Sequence, residues 1–193
     1  MPIDFTVHDE TTAPDEAAPM LAGARSRLGF VSTLAGVMAE SPQLLAGYNA
    51  AYDAFMKTSL PLLARHTVLI AVSVENRCEY CVAAHCTMAL RARMPDAVLR
   101  ALRAGRELPD PRLQAVAALA MALVRQRGWA DDAQLQAFFD AGFDRRQALD
   151  VVLGVGVKTM SNYTNHVAHT PLDPAWRDQR WSAPELGDRP AQG

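Results

Sequence analysis

Pro61-Leu62-Leu63-Ala64-Arg65-His66-Thr67-Val68-Leu69-Ile70-Ala71-Val72-Ser73-Val74-Glu75-Asn76-Arg77-Cys78-Glu79-Tyr80-Cys81-Val82-Ala83-Ala84-His85 reads as two successive helices joined by a break of one or two residues. Proline is tolerated in a first helical turn, where its missing donor is not needed, so Pro61 opens the first helix. The apolar side chains that follow, from Leu62 to Val72, are too dense for one amphipathic face and imply burial on most sides. Asn76-Arg77 is expected to end this helix, and a second begins at or just before Cys78 and runs to about Arg93.

Working outward, the apolar spacing near 3.6 residues and the Gly and Pro punctuation predict helices throughout. Upstream they cover Asp15 to about Leu28, Ser32–Glu40 with Ser32 as cap, and a helix started by Ser41-Pro42 that carries Leu44, Leu45, Tyr48, Tyr52, Phe55 and Met56. Downstream they fall at about 95–104, 111–127, 131–140 and 145–168. Gly154 and Gly156 weaken the last helix unless they let another helix come close. The expected fold class is all-α: a single-domain helical bundle at 15–169, with an N-terminal arm at 1–14 and a C-terminal arm at 170–193. Trp176 and Trp181 make that second arm either a tail packed on its own domain or one laid over a neighbouring subunit.

The chain has 193 residues, half of them hydrophobic, enough for one sizeable core. Nineteen basic against twenty-one acidic residues, with no basic block, argue against nucleic acid or an anionic membrane surface as partner. No stretch has the length of a transmembrane span, and the acidic start does not resemble a signal peptide, so a cytoplasmic location is expected. Three cysteines at 78, 81 and 86 make a poor framework for a secreted domain and suit a reducing compartment.

On a helix, Cys78, Cys81 and His85 share one stripe. Two thiols one turn apart can close a disulfide, and an imidazole one turn further on is in reach as a proton acceptor. A thiolate attacks a peroxide oxygen to give a sulfenic acid, which a second thiol condenses to a disulfide. Cys78 gains most from the amides at the helix start, whereas Cys81 is nearest His85, so the physics leaves the attacking cysteine open. A zinc site built on the pair with His85 and His166 or His169 lacks the usual second pair of ligands. Cys86 and Tyr80 lie off the stripe and read as a core thiol and a packing aromatic.

Ala71–His85, together with the Leu62–Ile70 helix, resembles the carboxymuconolactone decarboxylase / alkylhydroperoxidase D superfamily. Gly29-Phe30-Val31 and Met38-Ala39-Glu40-Ser41-Pro42 resemble its peroxidase-related branch. The resemblance implies an alkylhydroperoxidase D-like helical fold and a homo-oligomer, trimer or hexamer. It also implies a peroxidase in which Cys81 attacks, Cys78 resolves and His85 relays protons, with an external thiol or dithiol protein as reductant and no cofactor or metal. Where these peroxidases carry a relay glutamate, twelve residues before the first cysteine, this chain has His66. His66, or alternatively Glu75, is expected to take its place. The function so implied is reduction of organic hydroperoxides or hydrogen peroxide. Alternatives are a general dithiol oxidoreductase, a lactone decarboxylase relative, or a non-enzymatic protein whose disulfide changes assembly.

Overall fold

In the computed structural model, which describes residues 4–184, the expected helices form as α1 (Ala18–Leu28), α2 (Thr33–Met38), α3 (Pro42–Met56), α4 (Leu62–Glu75), α5 (Glu79–Arg91), α6 (Asp96–Arg103), α7 (Pro111–Arg125), α8 (Asp132–Asp140) and α9 (Arg145–Ala168). Among the described residues there is no strand. The fold class is all-α. The outermost parts of the two expected arms, 1–3 and 185–193, lie outside the described residues. Among the described residues no helix is long and apolar enough to cross a membrane.

Local chemistry sets the helix starts. Ser32 and Ser41 accept hydrogen bonds from the backbone N–H of Ala35 and Leu44. Asp131 and Asp144 form reciprocal capping boxes with Gln134 and Gln147, satisfying otherwise orphaned donors at the starts of α8 and α9. The first helix begins at Ala18, not Asp15, because Pro19 is tolerated only within a first turn.

α4 is the central element, buried continuously from His66 to Ser73, and it packs on α5, α7 and α9. Gly154 of α9 makes the close approach that the sequence calls for. A Cβ there would lie 2.6 Å from Val68 Cγ1 and 2.7 Å from Phe55 Cε2, both fully buried. Gly156 does not, since nothing would come within 4 Å of its Cβ. Opposite effects are therefore expected from one substitution. Gly154→Ala should destabilise by about 1–2 kcal/mol through overpacking of rigid neighbours. Gly156→Ala should stabilise by up to about 1 kcal/mol through helix propensity, and thermal denaturation of the two variants checks both.

The C-terminal segment packs on its own chain. A 3-10 helix absent from the sequence reading, Pro174–Gln179, buries Trp176 among Leu21, Leu34, Cys78, Tyr80 and Cys81. Trp181 enters the main core and donates its indole N–H to Arg103 O at 2.9 Å. The N-terminal arm lies on α2, with His8 N–H donating to Gly36 O at 3.2 Å. Gly36 is needed at that crossing, where a Cβ would come within 2.6 Å of His8 O.

Candidate active site

The turn between α4 and α5 builds the site. Asn76 caps α4, Arg77 takes a left-handed conformation with φ 58°, and the N–H groups of Cys78 and Arg77 return to Ser73 O and Val74 O at 2.9 and 3.0 Å. This is a Schellman ending, usually closed by glycine; here a non-glycine residue holds the positive φ. Cys78 is thus fixed as the residue that ends one helix and caps the next, with Val82 N–H donating to its carbonyl at 3.0 Å.

Cys78, Cys81 and His85 are all buried, and the two thiols are free. The face of α9 opposite them is polar. Lys158 is fully buried, 0% exposed, with Nζ 2.8 Å from His85 Nε2. One turn on, Ser161 Oγ lies 3.8 Å from Cys81 Sγ, and one turn further Asn165 Nδ2 donates to Cys81 Sγ at 3.2 Å and lies 3.6 Å from Cys78 Sγ. No carboxylate pairs with Lys158 among the described residues.

These contacts separate the two thiols chemically. Burial alone would push the Cys81 thiol up. The hydrogen bond with Cys78, the charge of Lys158, and hydrogen bonds with Lys158 and Ser161 outweigh it and hold Cys81 well below the usual cysteine value. The hydrogen bond that Cys78 gives to Cys81, together with burial and the charge on Cys81, pushes Cys78 up. The two thiols are thereby biased in opposite directions, Cys81 toward the ionised form and Cys78 toward the protonated one. For His85, burial, reinforced by the charges of Lys158 and His66, holds it well below the usual histidine value. As Lys158 can only donate, His85 Nε2 accepts and the ring proton sits on Nδ1.

Tyr52 stacks on the His85 ring, centroids 6.5 Å apart. Tyr80, between the two cysteines, does more than pack. Its hydroxyl donates to Asp173 Oδ2 and accepts from Leu34 N–H, while Asp173 also accepts from the backbone N–H and hydroxyl of Thr33. The cysteine helix, α2 and the C-terminal segment are tied at one point. Burial, with the Asp173 charge behind it, pushes the Tyr80 phenol up. Against Cys81 opens a cavity of about 210 Å³ lined by Tyr48, Tyr52, Tyr80, His85, Lys158 and Trp176 among others.

The other sequence candidates fall outside this cluster. His66 is buried on α4, where its charge bears on His85, but it forms no hydrogen bond with Cys81, His85 or Lys158 among the described residues. Burial and then Arg65 hold it below the usual histidine value. Glu75 pairs with Arg125 of α7 at 2.7 Å. Cys86 is a core thiol, pushed up by burial. His166 and His169 are exposed, and the described residues hold no group of three or more His, Cys, Asp or Glu that would bind a metal. Lys158 and Ser161 are not singled out by the sequence, and Asn165 enters the reading only within the Asn162-Tyr163-Thr164-Asn165-His166 run, whose spacing leaves open a pocket wall or a subunit boundary. Their signal was a polar stripe at i, i+3 and i+7 on a helix otherwise rich in Val and Gly.

Residues 42–110 match the model of the carboxymuconolactone decarboxylase family. No curated protein matches the chain. Among solved structures, the chain is similar to an uncharacterized peroxidase-related protein with an alkylhydroperoxidase AhpD core from Ralstonia eutropha JMP134, at 21% identity and a TM-score of 0.79 over 91% of this chain and 95% of that one. An uncharacterized peroxidase-related protein from Silicibacter sp. TM1040 gives 22% identity and a TM-score of 0.76 over 92% and 97%. The debrominase Bmp8 in complex with 2,3,4-tribromopyrrole gives 16% identity and a TM-score of 0.77 over 93% and 96%. The chain thus carries a carboxymuconolactone decarboxylase family match over α3 to α6 and shares along nine-tenths of its length the fold of structures with an alkylhydroperoxidase AhpD core.

Proposed function

We propose that the protein is a thiol peroxidase that reduces organic hydroperoxides or hydrogen peroxide through Cys81 and Cys78. The observation that carries this reading is the asymmetry of the buried pair: Asn165 Nδ2 lies 3.2 Å from Cys81 Sγ and 3.6 Å from Cys78 Sγ, and the charge of buried Lys158 favours an ionised Cys81. In the proposed cycle Cys81 Sγ attacks the distal peroxide oxygen and the O–O bond breaks. The departing hydroxide or alkoxide takes a proton from Lys158, directly or through His85, and a sulfenic acid remains on Cys81. The Cys78 thiol then attacks that sulfur, water leaves, and a Cys78–Cys81 disulfide forms. An external thiol or dithiol protein returns both thiols by exchange.

Lys158 takes the part expected of the missing glutamate, with opposite charge. It fixes the thiolate directly and needs no cationic His85. His66 is left an electrostatic neighbour of the relay. Assembly into a homo-oligomer, trimer or hexamer, belongs to the same proposal. What supports it is the apolar row of exposed Leu149, Val152, Tyr163 and Val167 along the outer face of α9. A cytoplasmic location is proposed from the free thiols such a cycle requires.

The test is stopped-flow oxidation of the reduced protein by hydrogen peroxide and by cumene hydroperoxide, with mass spectrometry of the products. Saturable formation of a Cys78–Cys81 disulfide, faster with the organic peroxide, is the expected result. Oxidation at the rate of an ordinary free thiol would leave the fold without this reaction.

A further inference from the structure

The cavity against Cys81 has an unusual charge balance. Its inner end carries Lys158, and its lining includes Arg27, whose side chain is otherwise exposed at the surface end. None of the lining residues is Asp or Glu. Arg27 makes no ion pair among the described residues, although its neighbour Arg25 is paired with Glu10. The charge of Arg27 is felt by both cavity tyrosines, Tyr48 and Tyr52. Asp53 acts on Tyr52 as well, but from outside the lining. In the proposed cycle the Lys158 charge is matched inside the site by the Cys81 thiolate, whereas Arg27 has no carboxylate partner among the described residues.

Size and wall chemistry narrow the ligand further. A cavity of about 210 Å³ is below the roughly 300–1,000 Å³ of sites for drug-sized ligands, and a dry cavity of about 150 Å³ already takes a benzene ring. Tyr48, Tyr52, Tyr80 and Trp176 offer ring faces and edges for such a body. A long acyl chain would have to protrude into water.

We infer that the substrate is a small amphipathic organic anion: a hydroperoxide with one ring or a short branched body among the aromatic side chains, its O–O bond at Cys81 and its carboxylate, or an equivalent anionic group, on Arg27. This inference rests on the peroxidase reading for the reaction but on the lining alone for the anion. A guanidinium takes a carboxylate through two parallel hydrogen bonds, and at an exposed position such as Arg27 the pair is weakened by salt.

The experiment compares cumene hydroperoxide with its para-carboxylate analogue in single-turnover oxidation of the reduced full-length protein, for wild type, Arg27→Gln and Arg27→Glu. In parallel, binding of the unreactive pair cumene and 4-isopropylbenzoate is measured by tryptophan fluorescence and calorimetry. The expected carboxylate-to-neutral rate ratio is about tenfold or more at low salt. It should shrink in 1 M salt, approach one in Arg27→Gln and fall below one in Arg27→Glu, with the binding ratio following the same order. Rapid oxidation by both peroxides at equal rates, or a ratio unchanged in both variants, overturns the inference and leaves the peroxidase reading standing. Slow oxidation by both, with selective and Arg27-dependent binding of 4-isopropylbenzoate, overturns the peroxidase reading and keeps the anion site. Slow oxidation without selective binding overturns both.

Discussion

Lys158→Met is expected to slow oxidation of Cys81 by about 10²–10³-fold at pH 7. The side chain is fully buried, and methionine fills nearly the same volume without a charge. Removing the ammonium leaves the Cys81 thiolate as an uncompensated buried anion, so the thiol protonates instead. With its value restored to the ordinary range near 8.5 or above, about 3% or less of the thiol is ionised at neutral pH, a loss of roughly 30-fold or more. Losing the proton donor for the leaving oxygen adds about another tenfold or more. The sign of the pH dependence follows. In the wild type, Cys81 is held well below the usual cysteine value, so its rate should begin to fall only at a lower pH than in the variant. In Lys158→Met each unit below the raised thiol value costs about tenfold, and the two profiles converge at high pH apart from the lost proton donor. Thiolate absorbance at 240 nm, titrated in both proteins, reads the shift without reference to turnover. Lys158→Arg, which keeps the charge, should recover most of the thiolate absorbance. A pH profile identical to the wild type in the methionine variant would remove Lys158 from the mechanism.

The second large effect separates the two cysteines. Cys81→Ser should abolish peroxide consumption, because an alcohol is not ionised where a thiol held by Lys158 and Asn165 is. Cys78→Ser should instead allow a single turnover and accumulate a sulfenic acid on Cys81, which dimedone traps and mass spectrometry locates. The expected contrast is loss of all fast oxidation in one variant and loss of multiple turnover alone in the other. Full activity in both would exclude the dithiol, and the reverse pattern would make Cys78 the nucleophile. Asn165 bears on the same question: its amide favours Cys81, at 3.2 Å, over Cys78, at 3.6 Å.

Much of this is legible in the sequence. Apolar periodicity and Gly and Pro punctuation located the helices, and the stripe Cys78, Cys81, His85 located one half of the site. The other half was harder to read for a physical reason. A lone lysine in a helix ordinarily faces water, and only the packing of α9 on α3, α4 and α5 turns Lys158 inward. Gly154 is part of that packing, since it lets α9 close on Val68 and Phe55. The partner of His85 was hidden for the same reason: burial, and then a lysine seventy-three residues away, hold the ring below the usual histidine value. The hydroxyl of Tyr80 found Asp173 ninety-three residues away, a pairing no local pattern announces.

The burial of Lys158 without a carboxylate has a consequence for electroneutrality. In the proposed reduced state the ammonium and the Cys81 thiolate sum to zero within the low-dielectric interior. When the sulfur is oxidised and the leaving oxygen carries off the lysine proton, both charges vanish in the same event, and the disulfide that follows is neutral beside a neutral amine. Reduction delivers protons with the electrons and re-creates the pair. The proposed cycle therefore never strands a single ion in the protein, and its oxidised state needs no counter-ion or flooding water to remain folded.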